Sequence, residues 1–88
     1  MKIPKQVKIG GHILKVRELE FADDENLCAD NSYVQNEIRI NKKLPQSQKE
    51  ATLIHEAMHT MNTTMEHCLL DSLSEQLYQF LKDNNLLK

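Results

Sequence analysis

The run His55-Glu56-Ala57-Met58-His59 brings the side chains of metal-assisted hydrolysis together at helical spacing. On a helix, positions i and i+4 stack one turn apart and i+1 lies about 100° round, so both imidazoles share a face with a carboxylate beside the first. Two such nitrogens can hold one Zn²⁺ ion, and Glu56 can then serve as general base toward a water on that ion. The flanks Thr52-Leu53-Ile54 and Thr60-Met61 are uncharged, and Ala51, Ile54, Met58 and Met61 recur as a core-facing stripe. The pair is therefore expected beside a buried face, where imidazoles without a ligand are costly.

Catalytic zinc takes three protein ligands and keeps one position open, so a further ligand is needed. If Thr63 is the pivot of a helical hairpin, His59 and His67, four residues to either side, are level across it. His55 and Asp71, eight residues to either side, are level too. With Leu73 at zero, the apolar arc of the second helix centres at about 20°, His67 lies at about 120° and Asp71 at about 160°. His67 is the preferred third ligand and Asp71 the next. Glu66 points into the helix interface as a cap, and Glu75, at about 200°, faces away from the apolar arc; both remain alternatives. With His67 on the metal, Asp71 can accept the proton on the free nitrogen of His55. Tyr78 continues the stripe His67, Asp71, Ser74 but lies about 16 Å along the helix from His67, so it reads as core. Tyr33 and His12 read as sheet residues, and Cys28 and Cys68, 40 residues apart, as ordinary thiols.

The elements that must position these groups are also legible. Val7 and Ile9, then Gly10-Gly11, then Ile13, Leu14, Val16 and Leu19 predict a β-hairpin. Phe21 to Asn31 reads as a polar loop, and Tyr33-Val34 with Ile38-Arg39-Ile40 predicts a second hairpin across Gln35 to Glu37. Pro45 ends this half. Ser47 with Glu50 resembles a capping box opening a metal helix over about 46–62, and Thr63 with Glu66 another opening a second helix. Leu69, Leu70, Leu73, Leu77, Phe80 and Leu81 predict the core face of that second helix, which ends near Asn84-Asn85. The expected fold is α+β in one domain, 1–88: a small antiparallel sheet of two hairpins over 1–45, then a helical hairpin over 46–88.

With 88 residues, 40% of them hydrophobic, the chain can bury only a modest core, to whose stability a bound metal would add. A net charge of −2 gives no electrostatic argument for nucleic acid or anionic membrane. Lys42, Lys43 and Lys49 read as a solvated loop and helix start. No apolar run after Met1 is long enough for a signal peptide or a membrane span, so a cytoplasmic protein is expected.

The strings Lys8-Ile9-Gly10-Gly11, Ile38-Arg39-Ile40-Asn41, Thr52 to His59 and Leu77-Tyr78-Gln79-Phe80-Leu81-Lys82-Asp83-Asn84 resemble the small zincin-like metallopeptidases encoded by bacterial phages and prophages. The likeness runs nearly end to end, and its mechanistically specific part is the His-Glu block. It implies a zinc peptidase of a bacterial host cell, with the last ligand on the second helix. It also implies an edge strand, over 37–41, that aligns an extended peptide or protein substrate. Relatives commonly carry glutamate near the position of His67; histidine is equally a zinc ligand. The rival expectation is a metal-stabilised phage module that binds a partner through its sheet edge and cleaves nothing.

Overall fold

The computed structural model describes residues 2–21, 28–32 and 34–87. Its elements are β1 (Gln6–Ile9), β2 (His12–Leu19), β3 (Ala29–Ser32), β4 (Glu37–Asn41), α1 (Gln46–Met61) and α2 (His67–Asp83), an α+β arrangement. β1 and β2 pair antiparallel across Gly10 and Gly11, whose φ values of 57° and 82° are the left-handed pair that a tight hairpin turn needs. Leu14 and Val16 point inward, while Lys15 and Arg17 between and after them face out.

The sheet order is β1-β2-β4-β3, and β2 runs parallel to β4, so the expected all-antiparallel sheet is corrected to a mixed one. The strand paired antiparallel with β4 begins earlier than expected: Ala29–Ser32, inside the stretch read as loop, takes the place of Tyr33-Val34. Tyr33 and the rest of that loop, 22–27, lie outside the described residues. β4 is hydrogen-bonded on both sides and is not the edge strand anticipated over 37–41; the edges are β1 and, beside β4, β3. Burial follows from that interior place. Ile38 and Ile40 are fully covered, and Glu37 and Asn41 nearly so.

Ile9, Leu14, Val16, Ile38 and Ile40 form one apolar face, closed by Leu53 of α1 with Ala57 packed against it. The residues of α1 packed on the sheet are thus Leu53 and Ala57, rather than the stripe Ala51, Ile54, Met58, Met61; the buried Glu50 meets Tyr78 of α2, and Met61 is exposed. Lys49, expected in solvent, is largely covered and pairs with Glu18 of β2 at 2.7 Å. The helix starts behind Pro45, whose fixed φ suits a helix entrance, and Ser47 makes no cap. Glu66, not Thr63, is the N-cap of α2, its carboxylate accepting from the backbone N–H of Cys68 and Leu69. The turn between the helices is therefore 62–66, longer than a cap at Thr63 would leave.

Among the described residues α2 packs on α1 and on no strand. It turns Leu70, Ser74 and Tyr78 inward, whereas Leu69, Leu73, Leu77 and Phe80, expected in the core, are 50%, 43%, 38% and 56% exposed. A helical arc identifies which residues share a face but not which neighbour covers it; here α1 already fills the space over the sheet.

Candidate functional site

Helical geometry puts His55, Glu56 and His59 on one side of α1, and the hairpin brings the matching turn of α2 across from them. The two level pairs expected from the pivot both meet. The rings of His59 and His67 lie 5.8 Å apart between centroids, and Asp71 Oδ1 stands 3.5 Å from His55 Nδ1. Ser74, buried on the same face of α2, holds its hydroxyl 3.4 Å from that nitrogen while donating to the Asp71 carbonyl at 3.2 Å. Nδ1 of His55 is thereby engaged with α2, leaving Nε2 for a ligand, the usual division of labour in a metal-binding imidazole.

Glu56 is half-buried. Burial pushes its carboxyl above the ordinary value; His55, His59 and a hydrogen bond from Asn31 pull the other way without cancelling it. A carboxylate so placed is a better proton acceptor than an exposed one. Asn31 comes from the edge strand β3. Its Nδ2 donates to Thr60 Oγ1 at 2.7 Å, and Thr60 donates to the backbone carbonyl of Glu56 at 3.0 Å. The chain from β3 through Thr60 to Glu56 fixes the glutamate's turn against the sheet edge, and Asn31 Oδ1 is buried without a hydrogen-bond partner among the described residues. Neither Asn31 nor Thr60 carries a sequence signal, because Ala29-Asp30-Asn31-Ser32 has no β-forming pattern and becomes a strand only by pairing with β4.

A cavity of about 260 Å³ opens beside the histidine-glutamate turn, lined by Cys28, Ala29, Thr52, His55, Glu56 and Glu75. Glu75, demoted by its helical angle, reaches this space from α2. Cys28 and Cys68 are free and exposed. His12 is exposed at the start of β2, away from these groups in the chain's order. Tyr78 is a core residue: its hydroxyl donates to the buried Glu50 at 3.0 Å and accepts from Lys82 Nζ at 3.1 Å.

The donors on offer, imidazole nitrogens from both helices and a carboxylate, are those zinc takes, and the partners on His55 Nδ1 suit a ligating imidazole. Among the described residues, however, no three His, Cys, Asp or Glu side chains converge tightly enough to form a ready cage. Among the same residues no helix is long and apolar enough to cross a membrane. No protein-family description, curated protein or solved structure matches the chain.

Proposed function

We propose that the protein is a zincin-like metallopeptidase in which His55, His59 and His67 hold one zinc ion and Asp71 orients His55. The observation that carries this reading is the meeting of His59 with His67 and of His55 with Asp71 across the two helices, beside a half-buried Glu56 whose turn is tied to the sheet edge through Thr60 and Asn31. Zinc bound there would supply Lewis acidity for a peptide carbonyl and its attacking water. Glu56 takes the proton of that water and returns it to the leaving amine. Asp71 and Ser74 hold the His55 ring through Nδ1, and Asn31 and Thr60 keep Glu56 in place. An extended peptide has β3, Ala29–Ser32, as an edge strand beside α1 with one unpaired side among the described residues, the role first expected of 37–41. The reading extends to work in the cytoplasm of a bacterial cell carrying the phage or prophage.

The rival is a metal-stabilised module that binds a partner and cleaves nothing, which would close the metal's fourth position with a protein ligand instead of leaving it to water. Metal analysis of protein purified without chelator, combined with cleavage of unfolded casein, separates the two. The peptidase requires one zinc per chain, with Glu56→Gln keeping the zinc and losing about 10²-fold or more of the cleavage rate. Stoichiometric zinc without cleavage leaves the binding module; absence of zinc affinity removes both. Comparing zinc content in His67→Ala and Asp71→Ala identifies the third ligand.

A further inference from the structure

We infer that Glu75 determines specificity: it lines a subsite beside His55 and Glu56 that accepts the cationic side chain of a lysine or arginine in an extended peptide. The inference rests on the peptidase reading for the class of substrate and names the side chain that the site selects. The cavity of about 260 Å³ at His55 and Glu56 shares Cys28, Ala51, Thr52 and Glu75 with a second cavity of about 340 Å³ that runs on to Ser47 and Tyr78. Together they form one groove, with α1 as its floor, the chain entering β3 on one side and α2 on the other. The helical hairpin sets the place of Glu75 in it. Asp71 reaches His55 at 3.5 Å. Glu75 is one turn further along α2 and Ala51 one turn back along α1, about 6 Å in each case, so the antiparallel helices bring these two level in a tier next to that of His55 and Asp71.

Three properties of this tier select a cation. First, Glu56 and Glu75 line the first cavity, and no lysine or arginine lines either cavity. Among the described residues Glu75 has neither a hydrogen bond nor an ion pair, so its carboxylate is free to take a partner. The charge of zinc at the histidines is countered in its own tier by Glu56 and Asp71. Second, lysine and arginine bury their methylene stems on apolar surface and keep the charged head in water. Ala29, Ala51 and Thr52 give the stem a low wall, and the exposed Glu75 meets the head at the rim. Third, about 260 Å³ is less than the roughly 300–1,000 Å³ of pockets that hold a whole small-molecule ligand, and it suits a single side chain. An acidic side chain there meets two carboxylates, and an apolar one makes no use of Glu75.

Capped peptides Ala-Ala-Ala-Xaa-Ala-Ala-Ala, with lysine, arginine, norleucine or glutamate at Xaa, test the subsite; norleucine keeps the stem and lacks the charge. Binding is read from backbone amide shifts of the full chain carrying Glu56→Gln and supplied with zinc, so that no peptide is cut. Titration to about 5 mM covers the millimolar affinities of a single side-chain contact. The lysine and arginine peptides should bind about two- to fivefold tighter than the norleucine peptide, the range of a solvent-exposed ion pair, with shifts at Ala51, Thr52 and Glu75. Glu75→Gln should erase that difference, and Glu75→Lys should transfer the preference to the glutamate peptide. Both variants should keep the wild-type thermal midpoint, because Glu75 is exposed, and the wild-type zinc content. Equal affinity for the lysine and norleucine peptides overturns the inference, as does a preference that survives Glu75→Gln or the absence of any binding. Loss of zinc from Glu75→Gln also overturns it, by making the carboxylate a metal ligand. Cleavage of the same peptides by the unsubstituted chain separates the inference from the reading beneath it. Cutting without regard to Xaa keeps the peptidase and removes the subsite, whereas charge-selective binding without cutting keeps the subsite and removes the peptidase.

Discussion

α1 has two interfaces, and they are built from opposite materials. Toward the sheet it buries Leu53 and Ala57 against Ile9, Leu14, Val16, Ile38 and Ile40. Toward α2 it meets the fully buried Leu70 together with polar contacts: Ser74 and Asp71 at His55, His67 at His59, and Tyr78 at Glu50. The first interface is held by apolar burial, which is large and tolerant of direction. The second depends on hydrogen bonds, each of small net worth but costly to break when buried. Fold and candidate chemistry thus lie largely on different sides of one helix, with the link from Asn31 through Thr60 to the turn of Glu56 joining them.

The contrast can be broken most forcefully at the sheet. Ile38→Ala removes a fully covered side chain from an interior strand, and a loss of about 2–5 kcal/mol is expected from urea denaturation, much of what a domain this small possesses. If that substitution costs less than those at the α1–α2 contact, the division of labour is wrong. Tyr78→Phe is the smaller and more local change. It leaves the buried Glu50 short of a donor at about 1–3 kcal/mol, and amide exchange should speed in α2 while β4 stays protected. Equal loss of protection in both regions would show that the two interfaces open together.

Acid provides the mildest probe of the same contact. Burial alone would raise the Glu50 carboxyl, but its partners together, hydrogen bonds from Gln46 and Tyr78 among them, hold the pKa below its ordinary 4.5. A carboxyl depressed in the folded state stabilises it above the unfolded value, and the gain is lost as pH falls from about 4.5 through the lower folded value. Thermal melts of the wild type should therefore lose stability in that window more steeply than melts of Glu50→Gln. Parallel curves would remove Glu50 as a contributor.

Local signals were legible where local physics decides the outcome. Gly10-Gly11 supplies both left-handed residues of its turn, and the alternation at Leu14 and Val16 gives the buried face of β2 directly. The level pairs His59–His67 and His55–Asp71 follow from counting equal distances about the hairpin pivot, even though the turn is longer than the count assumed. Capping was misread for a similarly local reason: Ser47 and Glu50 have the right spacing, but burying Glu50 beside Tyr78 takes its carboxylate away from the helix entrance.

The amino-acid order by itself determined the first hairpin, the two helices and the chemical types at the candidate site, because turn conformation and helical periodicity act over a few residues. Only the tertiary structure decided that β2 lies parallel to β4, that Ala29–Ser32 becomes an edge strand carrying Asn31 to Glu56, and that the leucine arc of α2 faces outward. Each depends on which distant segments become neighbours. A strand's alternation is the same for a parallel or an antiparallel partner, and an apolar arc is the same whether it meets its own chain or another.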